Sequence, residues 1–309
     1  MGLRGAPRRG DRHARGAGPT GARAASVRGG GPRQRRSPLA PEAHALRLPV
    51  RLRGGPRVTE NGSSEVDLSI VVPAFNEEQR LPASLSRIAA WLAARTPPLS
   101  AEVLVVDDGS ADGTARVAQD SATPAFPLRV VRHDANRGKG AAVRTGVLAS
   151  RGRWVLVTDA DLSTPIEEVE KLLAAGTPVA IGSRAVDPAL VKEKQPLYRV
   201  LMGKLFNLLV RVLCVGGIRD TQCGFKLFSR EAGREVFSRS RVDRFAWDVE
   251  ALLLSRRLGY RIAEVPVLWF HVEDSRVSLG GGAQAYLDLF RIRRTVARTL
   301  RESPPPPRG

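Results

Sequence analysis

A chain of 309 residues, 42% of them apolar, has room for one α/β domain of ordinary to large size or for two small ones, each with a real core. Its net charge of +18 is lopsided: residues 1–60 carry fourteen Arg against Asp11, Glu42 and Glu60, a net of +11, which leaves only +7 for the rest. That concentration weighs against a uniformly basic nucleic-acid-binding domain, and the two cysteines, Cys214 and Cys223, lack the CxxC or Cys/His spacing of a structural zinc site and fit a reducing compartment.

Residues 1–65 are rich in Gly, Pro and Arg without hydrophobic periodicity, so they are expected to form a disordered basic tail. No apolar run follows the arginines, which argues against a secretory signal. Such a tail suits nucleic acid, an anionic membrane surface, or plain solvation.

From Asp67 the punctuation becomes regular. Short β-branched runs at Leu68–Val72, Val103–Val106, Leu128–Val131, Trp154–Val157 and Val179–Ile181 predict five buried strands, each too short for a helix and each closed by Pro, Asp, His or Gly. Between them Leu81–Ala94, Thr114–Gln119, Lys139–Ala149 and Pro165–Ala174 have helical spacing, the last with Ser163 or Thr164 as its expected N-cap. The alternation predicts an α/β fold around a mainly parallel sheet, with ligands at the strands' carboxyl ends. Further on, Leu197–Ile218 carries Arg199, Lys204 and Arg211, too much charge for a simple membrane span; a core helix and an interfacial amphipathic helix both remain open. Trp247–Leu258 predicts a helix and Ile262–Val267 a strand. In the last helix, Ala283–Leu300, Arg291, Arg293, Arg294 and Arg298 stand opposite Tyr286, Leu287, Phe290 and Val296; this suits either an anionic surface or a docked helix with a solvated basic face.

Two acidic clusters follow strands. Asp107-Asp108-Gly109-Ser110, with Asp112-Gly113-Thr114, reads either as turn chemistry or as carboxylates placed to accept from a base or ribose. Asp159-Ala160-Asp161 is sharper, because two carboxylates two residues apart leave a buried strand, as a hard divalent cation such as Mg²⁺ or Mn²⁺ would require on a diphosphate. Gly138-Lys139-Gly140 lacks the Walker spacing and the third dinucleotide glycine, which leaves a helix start or an anion-facing Lys139.

Taken together, Val71-Val72-Pro73-Ala74-Phe75-Asn76-Glu77-Glu78, Val106-Asp107-Asp108-Gly109-Ser110 and Asp159-Ala160-Asp161 resemble the inverting GT-A-fold family 2 glycosyltransferases. The blocks Asn136 to Arg144, Thr221 to Phe228 and Phe245 to Glu250 are similar to the dolichyl-phosphate β-glucosyltransferase branch, with dolichyl-phosphate mannose synthases as near relatives. The resemblance implies a GT-A transferase domain over residues 66–275, between the 1–65 tail and a basic helix and tail at 276–309. It implies a nucleoside-diphosphate-sugar site at Pro73, Phe75, Glu77, Asp107, Asp108, Lys139, Asp159 and Ala160, and a metal on Asp159 and Asp161. Arg184 is expected near the phosphates, and Arg199 and Lys226 at an acceptor phosphate; Asp220 and Asp248 would be the candidate bases if the acceptor were a hydroxyl. Ser163 stands where mannose synthases place a Gln, so the third metal ligand is left open.

The implied reaction is transfer of a hexose, glucose from UDP-glucose first, to a polyprenyl phosphate; GDP-mannose as donor, or a saccharide as acceptor, are the alternatives. A more distant alternative is a non-enzymatic basic protein that binds nucleic acid or membrane. The branch it resembles includes members with an amino-terminal membrane anchor and bacterial relatives with carboxy-terminal spans; this sequence shows neither pattern, so contact with the membrane is expected to be peripheral, on its cytoplasmic face.

Overall fold

The computed structural model describes residues 66–191, 210, 215–271 and 279–302. The expectations for the 1–65 tail, for Arg199, for Cys214 and for most of Leu197–Ile218 lie outside these residues.

Seven strands form one sheet: β1 (Leu68–Ala74), β2 (Ala101–Asp107), β3 (Leu128–Arg132), β4 (Trp154–Val157), β5 (Val179–Ser183), β6 (Lys226–Ser229) and β7 (Ile262–Pro266), in the order β3-β2-β1-β4-β6-β5-β7. Helices α1 (Leu81–Ala94), α2 (Thr114–Asp120), α3 (Lys139–Ala149), α4 (Val169–Ala174), α5 (Arg230–Arg239), α6 (Trp247–Arg257) and α7 (Leu279–Glu302) flank it. The strand alternation is read directly into two cores. In β2, Leu104 and Val106 face α3, α5, α6 and α7, while Val103 and Val105 face α1, α2 and α4. All four are at most 1% exposed, as expected for a strand covered on both faces.

Pairing is parallel except at β6, which runs antiparallel between β4 and β5. The sequence reading missed β6 and α5. Lys226-Leu227-Phe228-Ser229 has a charge at one end and a hydroxyl at the other, so no apolar run marks it, and α5 is mostly polar, with only Ala232, Gly233, Val236 and Phe237 buried. Its entry is nonetheless locally encoded, because the Ser229 hydroxyl accepts from Ala232 N–H at 3.2 Å as a helix N-cap. The expected cap at Ser163 or Thr164 does not form. The segment instead enters through a 3₁₀ turn, Ile166–Glu168, and the Thr164 hydroxyl is buried 3.9 Å from the Cys223 thiol.

One residue sets where the sheet opens. Val71 O accepts from Thr158 N–H on the β4 side, and two residues on, Pro73 has no N–H to continue that ladder. Pairing with β4 therefore ends at Val71↔Val157, whereas pairing with β2 continues to Ala74↔Asp107. The chains after β1 and β4 separate at the crossover point of the sheet, where open α/β sheets bind ligands.

The last helix docks. Leu289, Ile292 and Val296 are buried in the core shared with α6, and Arg291, Arg293, Arg294, Arg298 and Arg301 are exposed. Across the core Phe237 of α5 stacks edge-on with Phe228 at 5.3 Å and packs on Trp247 of α6 at 6.2 Å. Phe237→Ala should destabilise the domain by ~3–5 kcal/mol, measured by urea denaturation followed by far-ultraviolet circular dichroism.

Candidate active site

The carboxyl ends of β1, β2, β4 and β5 share one edge, and antiparallel β6 brings its first residue to that edge, with Lys226 opposite Val157 and Ile181. Each strand thus delivers charged residues to the same rim: Asp107 and Asp108 from β2, Asp159 and Asp161 after β4, Arg184 after β5 and Lys226 from β6. Lys139 arrives at the start of α3 and Asp248 at the start of α6.

Two interlocked loops wall the β1–β2 side. Asn76 N–H donates to Ser110 Oγ at 2.9 Å, Glu77 N–H to Thr114 Oγ1 at 2.7 Å and Ala111 N–H to Asn76 Oδ1 at 2.9 Å. The Glu77 carboxylate is held bidentately by Arg80, both contacts 2.8 Å. Phe75 leaves this wall 38% exposed, an open apolar residue beside the cleft. Asp107 is fully buried, with Oδ1 accepting from Ser110 N–H at 2.9 Å and Oδ2 lying 3.2 Å from Arg132 Nε.

Asp108 departs from expectation. Its oxygens accept from His133 Nδ1 at 2.7 Å, Arg137 N–H at 3.0 Å and Gly138 N–H at 2.7 Å, and its side chain is 3% exposed. It ties the 133–138 loop to β2 and has no open oxygen for a nucleoside.

Beyond β4 the chain turns tightly, Leu162 N–H bonding Asp159 O at 3.1 Å with Leu162 at φ 46°, and Ala160 is buried. This turn holds Asp159 and Asp161 on one rim. Asp159 Oδ1 accepts from Lys139 Nζ at 2.5 Å, and Asp161 Oδ1 from Ser163 N–H at 3.0 Å. A side chain at Gly224 would overlap the Asp159 carboxylate, so only glycine lets the β6 approach pass this close. Burial alone would raise the pKa of Asp159, but Lys139, with Lys226 and Arg184, outweighs it and holds the carboxyl below its usual value. Reciprocally, burial would lower Lys139, and Asp159, Asp161 and Asp248 raise it above its usual value.

Arg184 is clamped. Its Nε and Nη2 donate to Asp220 at 2.7 and 2.9 Å, its own N–H donates to the same carboxylate at 3.0 Å, and its guanidinium lies 5.4 Å from the Trp269 ring centroid. Glu264 supports the clamp by accepting from Asp220 N–H at 2.7 Å and Ser183 Oγ at 2.7 Å. Burial would raise Asp220, but Arg184 brings it down to about 2. So low a pKa, with both oxygens engaged, removes Asp220 as a candidate base. Asp248 keeps that possibility: burial pushes its pKa up, only partly offset by Lys226.

Lys226 is corrected as well. It is fully buried, donates to Cys223 O and sits 5.3 Å from the Trp247 ring centroid, so its charge acts on Asp159 and Asp248 from within the protein and does not reach an acceptor phosphate. Trp269 and Glu264 were not anticipated, since a lone aromatic and a glutamate within a strand carry no motif, and Trp247, though inside the Phe245 to Glu250 block, was given no role.

The Glycosyl transferase family 2 model matches residues 69–237, over half of the chain and every charged rim residue named above except Asp248. The chain belongs to that family. Over 244 residues it is 43% identical to a dolichyl-phosphate β-glucosyltransferase of Mus musculus, covering 73% of this chain and 74% of that one. A dolichyl-phosphate β-glucosyltransferase of Dictyostelium discoideum is 37% identical over 255 residues, 77% of this chain and 78% of that one. Among solved structures, mannosyl-3-phosphoglycerate synthase of Rubrobacter xylanophilus superposes with a TM-score of 0.55 at 21% identity over 77% of this chain and 74% of that chain. Glucosyl-3-phosphoglycerate synthase of Mycobacterium tuberculosis, in complex with Mn²⁺, UDP and glucosyl-3-phosphoglycerate, superposes with a TM-score of 0.50 at 22% identity over 79% and 82%. These establish a GT-A fold, and the family makes the chain a hexosyltransferase.

For this family 2 member the Arg184–Asp220 clamp carries a pH signature. A carboxyl whose folded pKa is depressed contributes stability above its unfolded value, about 4, and loses it as pH falls through about 2. Asp220→Asn should cost ~2 kcal/mol or more at neutral pH and flatten the stability curve between about pH 4 and pH 2, as read by urea denaturation across that range.

Proposed function

We propose that this transferase moves glucose from UDP-glucose to a polyprenyl phosphate with inversion at the anomeric carbon. The observation that carries the reading is the Asp159–Asp161 turn, which leaves β4 where the sheet opens, with Lys139 on one carboxylate and Arg184 nearby. The names of the relatives supply the donor sugar and the lipid acceptor; charge and geometry supply the rest.

The residues present fit a divalent cation. Mg²⁺ and Mn²⁺ are held through one or two carboxylates plus phosphate oxygens and water, and among the described residues no set of three His, Cys, Asp or Glu competes with the Asp159–Asp161 pair. The Mycobacterium neighbour was crystallised with Mn²⁺ and UDP, which supports the same donor chemistry here. When bound, the cation would neutralise charge developing on the leaving diphosphate.

The protein's own groups do the remainder. Phe75 offers a ring to the nucleobase, and the buried Asp107 carboxylate fixes the wall beside it through Ser110 and Arg132. Lys139 keeps a positive charge at the diphosphate end, and Arg184, held rigid by Asp220 and Trp269, supplies a second. A phosphate monoester with a second pKa near ~6 is largely dianionic at neutral pH, so its oxygen attacks the anomeric carbon without a base while the bond to the diphosphate oxygen breaks and UDP departs with the electron pair. Catalysis then rests on positioning and charge. A second reading, a saccharide hydroxyl as acceptor, is favoured by one observation: the raised pKa of Asp248 suits a general base.

The membrane side of the reaction falls to α7. No described helix is long and apolar enough to cross a membrane. Arg291, Arg293, Arg294, Arg298 and Arg301 lie exposed along α7 while Leu289, Ile292 and Val296 are docked, which suits peripheral contact with lipid phosphates.

Two experiments test these assignments. Asp161→Ala should abolish transfer from UDP-glucose to a polyprenyl phosphate while leaving the circular dichroism spectrum unchanged; unchanged turnover would exclude the metal assignment, and turnover of GDP-mannose in preference would replace the donor. Reversing Arg294, Arg298 and Arg301 to Glu should weaken binding to vesicles containing acidic phospholipid by ~100-fold in a sedimentation assay, with transfer to a water-soluble short-chain acceptor retained.

A further inference from the structure

Glu250 is fully buried, lies one turn into α6, and has no cation within ion-pair distance among the described residues. A buried carboxylate is costly unless its lone pairs are filled. Here they are filled from one segment. Ser240 Oγ donates at 2.5 Å, Arg241 N–H at 2.9 and 3.0 Å to the two oxygens, and Val242 N–H at 2.9 Å. The positive end of the α6 dipole adds to this.

The segment so gripped, residues 240–246, meets the rim at its middle and at its far end. On one side Asp243 O accepts Ala141 N–H of α3 at 2.9 Å, and Arg144 Nη2 meets Asp243 Oδ1 at 2.5 Å. Side chains at Gly138 or Gly140 would collide with Asp243 O and Val242 O respectively, so the loop lies flush on the start of α3, where Lys139 leaves for Asp159. On the other side the loop ends at Ala246, left-handed at φ 72°, which turns the chain into Trp247 and Asp248. Trp247 packs under the Lys226 ammonium.

We infer that Glu250 is a positioning residue for the transfer reaction: it clamps the 240–246 loop and thereby holds Lys139 on Asp159 and fixes the start of α6 at Asp248, without itself touching substrate. The inference rests on the proposed transfer for its kinetic consequence, but its structural consequence stands apart from any substrate. The nucleoside wall, Phe75 after β1 and Asp107 at the end of β2, is not gripped by this loop, and Lys139 faces charge that develops on the diphosphate as the bond breaks, so the effect should fall on kcat more than on KM.

Glu250→Gln keeps the shape and leaves one oxygen to serve donors that two now serve. In the folded variant kcat should fall at least ~10-fold while KM for UDP-glucose stays within about twofold. Hydrogen exchange at Ala141 N–H should quicken while Val143 and Val147, deeper in α3, keep their protection. Leu173→Ala, a cavity on the opposite face of the sheet, controls for softening: it should lower stability but leave kcat per folded molecule unchanged. The inference is overturned if folded Glu250→Gln retains wild-type kcat, if Ala141 keeps wild-type protection, or if Leu173→Ala lowers kcat equally. Should Glu250→Gln fail to fold, Ser240→Ala removes one donor from the loop side and should give a smaller loss of kcat in the same direction; unchanged kcat there overturns it too. A wild-type protein inactive on every nucleotide sugar would defeat the proposed function, and the Ala141 exchange would still decide the clamp.

Discussion

Four carboxylates, Asp159, Asp161, Asp220 and Asp248, share one edge of the sheet with three cations, Lys139, Arg184 and Lys226, and neighbouring charges work against burial at Lys139, Asp159, Asp220 and Asp248. Placing such charges in a partly dry cleft carries a large desolvation cost, which mutual attraction offsets only when the geometry is good. The rest of the fold can be understood as what holds that geometry. Pro73 ends the β1–β4 ladder so that the rim opens, Gly224 lets β6 approach Asp159, and the buried Lys226 supplies positive charge from beneath.

The arrangement also divides labour between the two halves of the rim. On the β1–β2 side the groups are locked by hydrogen bonds to backbone: Asp108 to the 133–138 loop, Asn76 and Glu77 to Ser110 and Thr114. That side is a shaped wall. On the β4–β5–β6 side the contacts are ion pairs among side chains, of which Lys139 and Asp159 are each about a third exposed. This is where charge must be redistributed when a diphosphate forms, and where rigid dipoles and paired charges do more than flexible ones could. Supporting groups one layer back, Glu264 behind Asp220 and Glu250 behind the 240–246 loop, carry the rigidity inward.

Much of this was legible in the sequence because parallel strands covered on both faces are written as β-branched runs. Val103–Val106 and Trp154–Val157 each appear where they were expected, and the Asp-rich turns that follow them fall on one edge by the topology of the fold. What escaped notice was short of apolar residues: the buried stripe of α5 is Ala232, Gly233, Val236 and Phe237 in an otherwise polar helix. β6 is four residues long with Lys226 at its head, and a lysine at the start of a buried strand reads locally as a surface residue. The same blindness assigned Lys226 to an acceptor phosphate and made Asp220 a base, since neither burial nor the Arg184 clamp can be inferred from spacing.

By itself, then, the sequence determined the alternating α/β order, the family motifs, and the two acidic turns from which the site is made, all of them consequences of neighbours along the chain. Only the tertiary structure decided which carboxylates stay open and which are consumed internally. Asp108 and Asp220 look, as residues, like Asp159 and Asp161. They differ because contacts tens of residues away, Gly138 with Asp108 and Arg184 with Asp220, fill their lone pairs, whereas Asp159 and Asp161 meet only one donor each among the described residues. An acidic residue's role depends on the field and the donors around it, and those are assembled by strand order, not by sequence order.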